Sequence, residues 1–261
     1  MKGEDKMIFD THAHYDDEQF DEDRDELLTT MKENGVGTIV NISATYESCQ
    51  RSVDLAEKYP NVYAAVGVHP DEVGELDEDK FSQMKKLFEH KKVVAVGEIG
   101  LDYYWDKESH DIQGNWFVRQ LQLARELNLP VVIHSREAAA DTMYIMQNYA
   151  QGIKAVIHCY SYSKEMAEQY IKMGYYIGVG GVLTFKNAKK IKEVVEAIPL
   201  DRILHETDCP YLAPAPFRGK RNQSAYIKYV AEAIAEIKNI TVEEVIERTE
   251  ANAREFYNLN A

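Results

Sequence analysis

The sequence predicts an eight-stranded parallel α/β barrel, the (β/α)8 or TIM-barrel fold, formed by a single domain that spans residues 1–261. Two observations lead to this prediction. Apolar segments rich in β-branched residues alternate with amphipathic segments along the whole chain, and polar side chains gather where the apolar segments end. A doubly wound open sheet is the alternative, and the regularity of the repeating units favours the barrel. No internal repeat, low-complexity segment or linker divides the chain, so one domain is expected.

Eight apolar segments are predicted to be strands, because each is short and almost continuously hydrophobic, as in strands covered on both faces. They are residues 7–14, 38–43, 62–69, 93–100, 130–136, 154–160, 175–181 and 202–208. The amphipathic segments 21–34, 46–59, 112–128, 163–173, 224–238 and 242–257 are predicted to be helices. Gly35 and Gly174 are expected to end two of these helices, and Thr241 with Glu244 predicts a capping box at the start of the last one.

The composition is that of an ordinary globular protein, with 45% hydrophobic and 28% charged residues. The formal net charge of −14 argues against a protein that coats nucleic acid. It does not exclude a nuclease, since bound divalent cations reverse the local sign. Three cysteines without a C-x-x-C pair indicate a reducing, cytoplasmic location. No apolar run approaches the about 20 residues of a membrane span, and the charged segment 1–7 does not resemble a signal peptide.

Histidine and carboxylate side chains cluster at the predicted C-terminal strand ends, which form the mouth of a barrel and carry its catalytic groups. Six of these side chains are candidate metal ligands: His12, His14, Glu98, His134, His158 and Asp208. His12 and His14 share one face of strand 1, because side chains alternate along a strand. This set exceeds the roughly three protein ligands of one catalytic zinc, so two divalent ions are expected, ~3.5–4 Å apart and bridged by a carboxylate. Zinc, manganese and magnesium all suit such ligands.

Strand alternation also separates other polar residues from the candidate ligands. His205 has the opposite parity to Asp208 and is expected to face the surrounding helices. Asp10 and Glu206 share the parity of the ligands one layer deeper, where they either orient a ligand imidazole or make a buried structural hydrogen bond. His69 ends the third strand, and it either lines the substrate site or packs under the loop that follows.

Seven short motifs follow one another between residue 7 and about residue 257. They are FDTHAH at 9–14, GVHP at 67–70, GEIGLDY at 97–103, PVVIHSR at 130–136, IHC at 157–159, ETDCPY at 206–211 and RGKRN at 218–222. As a set they resemble the TatD family of metal-dependent deoxyribonucleases, within the amidohydrolase-like barrels. Related amidohydrolases often use a carboxylated lysine as the bridging ligand, and Glu98 at the end of strand 4 favours the TatD-like branch. Ser224 departs from the family pattern, in which proline is expected, and His205 stands where an apolar residue is usual.

The resemblance implies that the substrate is DNA, cleaved by hydrolysis of a phosphodiester with a metal-activated water. It also implies a ligand set for each ion: His12, His14 and Asp208 for one, and His134 and His158 for the other, with Glu98 bridging. Asp208 and Glu98 are then the catalytic carboxylates, and Asp208 is the candidate to accept or shuttle the proton of the water. Neither a membrane nor a stable protein partner is expected.

Cationic and aromatic residues near the mouth are candidates for binding the substrate. They are Arg218, Lys220 and Arg221 after strand 8, Arg136 on strand 5, His69 after strand 3, and Tyr103 with Trp105 after strand 4. The loop after strand 8 places three cations within four residues, which compensates locally for the acidic chain. Tyr103 and Trp105 either stack on a base or only pack their own loop.

Two other functions fit the same residues. One is hydrolysis of a small phosphoester, amide or lactone in the same barrel. Among these substrates, the cations after strand 8 favour one that carries a phosphate. The other is a metal-holding scaffold without catalysis, against which the number of candidate ligands argues.

Overall fold

The computed structural model describes residues 6–105 and 107–259. Its strands form one eight-stranded sheet in the order β1 to β8, with helices between successive strands, which is the predicted (β/α)8 fold. The strands are β1 Ile8–Ala13, β2 Val36–Ile42, β3 Val62–Val66, β4 Val93–Asp102, β5 Val131–Arg136, β6 Ala155–Ile157, β7 Tyr176–Val179 and β8 Ile203–His205. All eight predicted strands are confirmed. Of the charged segment 1–7, residues 1–5 lie outside the described residues.

The α-helices of the described residues are α1 Arg24–Thr30, α2 Tyr46–Lys58, α3 Glu78–Lys85, α4 His110–Leu127, α5 Ala139–Tyr149, α6 Lys164–Lys172, α7 Lys189–Ala197, α8 Lys228–Lys238 and α9 Val242–Phe256. The six predicted helices correspond to α1, α2, α4, α6, α8 and α9. The capping box of α9 is confirmed, since Thr241 Oγ1 accepts from the Glu244 N–H at 3.1 Å and Glu244 accepts from the Thr241 N–H at 3.1 Å. Gly35 and Gly174 adopt the positive φ expected of helix-ending glycines, 82° and 86°. None of the helices described is long and apolar enough to span a bilayer.

The chain divides into two compact units. We call residues 1–40 together with Cys159–Ala261 the terminal unit, and Asn41–His158 the central unit. Each unit contributes strand ends that carry candidate ligands.

In the terminal unit, the C-terminal ends of β1 and β8 are held side by side. Ala13 bridges to Cys209 in parallel, and the Asp208 N–H donates to the His12 carbonyl at 2.9 Å. Helix α9 packs against both strands, and the hydroxyl of Tyr257, which follows it, donates to the Thr11 carbonyl at 2.8 Å. These contacts fix the backbone that carries His12 in β1, His14 directly after it and the carboxylate of Asp208 after β8.

In the central unit, β3 to β6 pair in parallel, and all ten residues of β4 are buried. Gly100 lies opposite His134 in the β4–β5 pair and has a φ of 148°. A Cβ at this position would lie 1.9 Å from the His134 carbonyl oxygen, so only glycine permits this approach. The close pairing brings Glu98 and Asp102, on either side of Gly100, next to His134.

Candidate metal centre

The first group of candidate ligands lies in the terminal unit and consists of His12, His14 and Asp208. The Nε2 atoms of His12 and His14 are 3.0 Å apart, and Asp208 Oδ1 is 3.7 Å from the first and 3.4 Å from the second. Alternation along β1 puts both imidazoles on one face. Asp208, which follows β8 after Glu206 and Thr207, adopts a left-handed backbone conformation with a φ of 57°. Its carboxylate thereby converges with the two imidazoles.

The second group lies in the central unit and consists of Glu98, His134 and His158. Glu98 Oε1 lies 2.8 Å from His134 Nδ1 and 2.8 Å from His158 Nε2. Glu98 is only 4% exposed, so its carboxylate depends on these imidazoles rather than on bulk water. β4 supplies Glu98, β5 supplies His134, and His158 follows β6 directly.

Both groups fit a divalent cation. Each joins two imidazole nitrogens to one carboxylate oxygen, with the ligand atoms within 4.8 Å of one another. Two imidazoles and a carboxylate are a common protein ligand set of catalytic zinc, and manganese and other divalent ions also accept it. The structure thus brings the six predicted ligands into two groups of three, and the role of Glu98 as a bridge between two ions stays a prediction.

Asp102 is a site residue that the sequence analysis missed. Its Oδ2 lies 3.0 Å from His134 Nε2, on the opposite side of the ring from Glu98. The N–H groups of Tyr104 and Trp105 donate to its Oδ1 at 2.9 and 3.0 Å. The signal was present in the sequence, because Asp102 has the parity of Glu98, but β4 was expected to end at residue 100. The strand continues to Asp102.

His134 and Asp102 form a hydrogen-bonded pair in which Asp102 is ionised. Burial lowers the pKa of His134, but its hydrogen bonds with Asp102 and Glu98 outweigh burial, so the pKa is raised above 6.5. Burial raises the pKa of Asp102, but the hydrogen bond from His134 and the two backbone N–H groups hold it down to about 2. Asp102 is therefore ionised at neutral pH and fixes the orientation of the His134 ring.

His69 joins the central group as a neutral imidazole. Burial, followed by the nearby charge of His134, lowers its pKa to about 3. Its Nδ1 accepts the Asp71 N–H at 3.2 Å, which leaves the proton on Nε2, 3.9 Å from Glu98 Oε1. The side chain caps the 3-10 helix Pro70–Glu75, which supports the interpretation that it packs under this loop. It also lies beside the ligand group, and its contact with a substrate stays a prediction.

The aromatic residues after β4 divide into one that packs and two that are exposed. Tyr103 donates its hydroxyl to Asp141 at 2.8 Å and stacks on His110 with ring centroids 3.5 Å apart, so it packs its loop. Tyr104 and Trp105 are 55% and 58% exposed. The guanidinium of Arg136 lies 4.0 Å from the ring centre of Tyr104 and 5.5 Å from that of Trp105. This cluster combines a cation with exposed aromatic faces.

The cations after β8 also differ from one another. Arg221 donates to Asp23 at 2.8 Å and lies 4.7 Å from the ring centre of Phe20, so its charge is used within the fold. Arg218 and Lys220 are exposed. The guanidinium of Arg218 lies 4.4 Å from the ring centre of Phe185, in the loop after β7.

The deeper polar residues of β1 and β8 tie the strand ends together. Asp10 Oδ2 accepts from Thr207 Oγ1 and from Ser224 Oγ, each at 2.6 Å, and burial nevertheless raises the pKa of Asp10 to about 6. Glu206 Oε1 accepts the Cys159 N–H at 2.6 Å. These are buried hydrogen bonds to backbone and hydroxyl groups, one of the two interpretations from the sequence. Ser224, which departs from the family pattern, thus has a role in holding Asp10.

The chain is similar to known proteins over nearly its whole length. The family model for TatD related DNases matches residues 9–258. The chain is 46% identical to the metal-dependent hydrolase YabD of Bacillus subtilis, over 97% of this chain and 100% of YabD. It is 35% identical to the metal-dependent hydrolase YcfH of Escherichia coli K12, over 98% and 97% of the two chains. The crystal structure of YjjV, a TatD homologue from E. coli K12, superposes with a TM-score of 0.90 at 32% identity and covers 97% of this chain and 98% of YjjV.

These matches extend over nearly the whole chain, include the strand ends that carry both ligand groups, and agree with the predicted (β/α)8 fold. The protein therefore belongs to the TatD family of metal-dependent hydrolases.

Proposed function

We propose that this hydrolase is a deoxyribonuclease that binds one divalent ion in each ligand group and hydrolyses DNA phosphodiester bonds. The observation that carries the proposal is the pair of ligand groups, each with two imidazoles and one carboxylate at C-terminal strand ends. The match to the family model for TatD related DNases supports DNA as the substrate. Divalent ions held by these groups would supply Lewis-acid stabilisation of the phosphoryl oxygens and a water of lowered pKa.

The residues of the chain have distinct tasks in this proposal. Asp208, whose carboxylate reaches both His12 and His14, accepts the proton that the attacking water loses. Asp102 holds the His134 ring in place by a hydrogen bond to Nε2, so that Nδ1 stays directed at Glu98. The neutral His69 offers an N–H donor beside Glu98, suited to a substrate oxygen.

The cluster of Arg136, Tyr104 and Trp105 is suited to a nucleic-acid strand. The guanidinium can contact a phosphate, while the exposed aromatic rings offer faces on which bases stack regardless of sequence. Arg136 lies two residues after His134 on β5, so this surface begins at the ligand group itself. Tyr103 and Arg221 are left out of the substrate surface, because their side chains are used inside the fold.

The test is metal-dependent cleavage of DNA. Protein stripped of metal is incubated with end-labelled single-stranded and double-stranded DNA, with magnesium, manganese or zinc added back in turn. We expect cleavage only with added metal, and its loss in Asp208→Asn. Asp201→Asn is the matched control, since Asp201 is a surface carboxylate paired with Arg248 at 3.2 Å. Bound metal is counted in parallel, with two ions per chain expected.

Intact DNA under every metal condition would contradict the nuclease assignment. If such a protein still binds metal, a panel of small phosphoesters, amides and lactones tests the alternative hydrolase activity. Turnover of a phosphoester alone would restrict the proposal to small substrates.

A further inference from the structure

The terminal unit contains a cavity of about 350 Å³ that is separate from the ligand groups, and we call it the β7 cavity. Its lining includes Tyr160 and Ser161 after β6, Val182 after β7, and Asn187, Lys189 and Ile191 where α7 begins. The volume falls in the range of about 300–1,000 Å³ that is typical of small-molecule sites.

The wall of the β7 cavity is connected to the strand end that carries Asp208. Cys159 lines the cavity, and its N–H donates to Glu206 Oε1 at 2.6 Å, two residues before Asp208. Gly180 also lines the cavity and packs against the Glu206 side chain, since a Cβ there would lie 3.6 Å from the Glu206 Cγ. The β7 cavity therefore adjoins the residues that follow β6 and β8 in the terminal unit.

The interior of the β7 cavity is apolar on several sides. Tyr160 and Ile191 are buried, 4% and 6% exposed, and Val182 is partly buried. The Tyr160 hydroxyl donates a hydrogen bond to the Ser163 carbonyl at 2.7 Å. The part of Tyr160 that lines the cavity is therefore mainly its aromatic ring. Such walls suit a flat, largely apolar group such as a nucleobase.

The rim of the β7 cavity is cationic, in contrast to the rest of the chain. Residues 180–192 contain four lysines and no acidic residue, whereas the whole chain has 44 acidic and 30 basic residues. Lys189 and Lys190 line the cavity and are exposed. Arg218 lies against Phe185 in the same loop, with 4.4 Å between the guanidinium and the ring centre. Together these side chains attract an anion to this edge of the cavity.

We propose that the β7 cavity binds one nucleotide of the DNA strand, with the base against Tyr160, Val182 and Ile191 and a phosphate at Lys189 and Lys190. The inference deepens the proposed function, on which it rests, by naming the residues that hold the strand next to the cleavage site. It also gives the acidic protein a local source of positive charge for a polyanion.

The test measures binding without hydrolysis. Fluorescence anisotropy follows a labelled oligothymidylate of about ten nucleotides, a length that single-strand sites commonly occupy, with EDTA present and at low ionic strength. The double variant Lys189→Gln/Lys190→Gln is compared with Lys32→Gln/Lys172→Gln, which removes the same charge from exposed lysines of the same unit that lie outside the cavity. We expect at least a tenfold weaker affinity for the first variant alone, and a slope of log affinity against log salt that is smaller by about 1.4.

A second pair of variants tests the cavity itself. Ser161 is exposed at its lining, so Ser161→Trp fills the opening without disturbing the core, and Ser161→Ala is the control. Tryptophan is expected to weaken binding at least fivefold with an unchanged salt slope, and alanine to leave binding intact. In competition, thymidine 5′-monophosphate is expected to displace the oligonucleotide at lower concentration than inorganic phosphate.

Several outcomes would overturn the inference. They are equal affinities of the two lysine variants, unchanged binding by Ser161→Trp, equal competition by phosphate and nucleotide, and no binding by the wild-type protein. Because no metal is present, these results do not depend on cleavage. If the protein cleaves DNA but shows one of these outcomes, the proposed function stands and the inference about the β7 cavity falls. If DNA binds through the cavity but is never cleaved, the inference stands and the proposed function falls.

Discussion

Replacing the buried His205 by leucine is expected to make the protein less sensitive to acid. His205 is 1% exposed on β8, and neither ring nitrogen has a hydrogen-bond partner among the described residues. Burial lowers its pKa from 6.5 to about 4. The folded protein therefore excludes the charged imidazole over a pH range in which the unfolded chain already binds the proton.

The magnitude follows from the two pKa values. Above pH 6.5 both states are neutral, and His205 does not make stability depend on pH. Between that value and pH 4 the proton binds the unfolded state only, so the free energy of unfolding falls by about 1.4 kcal/mol per pH unit. The loss is about 2 kcal/mol at pH 5 and about 3 kcal/mol once the folded pKa is reached. Leucine binds no proton, so this loss disappears in His205→Leu.

Urea unfolding at about pH 7.5 and about pH 5 measures the effect, with EDTA present so that metal binding does not contribute. The stability of His205→Leu relative to wild type should rise by about 2 kcal/mol between the two pH values. His205→Asn is the control for packing. Its stability relative to wild type should rise by the same amount between the two pH values. Its free energy of unfolding should be lower at both of them, because the amide is buried without a partner. A mutant-to-wild-type difference that stays constant within about 0.5 kcal/mol would refute the reasoning.

Three further predictions concern the strand ends. Asp102→Asn removes the charge that orients His134, so the metal affinity of the central group should fall about 10-fold to 100-fold. Competition with a chelating dye measures this affinity, and an unchanged value would mean that Asp102 is only structural. Ser224→Ala removes the hydrogen bond that the Ser224 hydroxyl donates to the buried Asp10 carboxylate. The free energy of unfolding, measured in urea, should fall by about 1–3 kcal/mol. A change near zero would contradict the role of Ser224 in holding Asp10. Chelation of metal from the holoprotein should lower Tm by about 5–10 °C in calorimetry, since bound ions stabilise the folded state; an unchanged Tm would exclude tight binding.

The fold could be predicted from the sequence, and the reason is geometric. The six candidate ligands were chosen by the same geometry, whereas their division between two ions came from the family resemblance. Strand alternation fixes the direction of each side chain relative to its neighbours, so His12 and His14 could be placed on one face from their spacing alone. The same rule separated His205 from Asp208. His205 is buried, and its orientation towards the surrounding helices stays a prediction. The rule missed Asp102 only because the end of β4 was placed two residues too early.

Side chains on loops were harder to predict, because their partners are distant in sequence. Arg221 was expected to bind phosphate from its place in a cationic loop, yet it pairs with Asp23, 198 residues away. Tyr103 was a candidate for base stacking, and its hydroxyl bonds to Asp141. Neither partner follows from local composition, whereas a strand residue needs only its parity to be placed.

The same distinction explains why the loop after β7 escaped notice in the sequence. Its lysines are spaced as on any solvated helix start, and exposed charges of that kind are usually unremarkable. A binding role for these lysines is suggested only by the residues near them in the folded protein. These are the apolar walls of the β7 cavity, the Cys159 backbone bonded to Glu206, and Arg218 packed on Phe185. For the proposed DNA substrate, an acidic protein needs positive charge only where the strand passes, so the cationic rim of the β7 cavity is where substrate contacts are expected to lie.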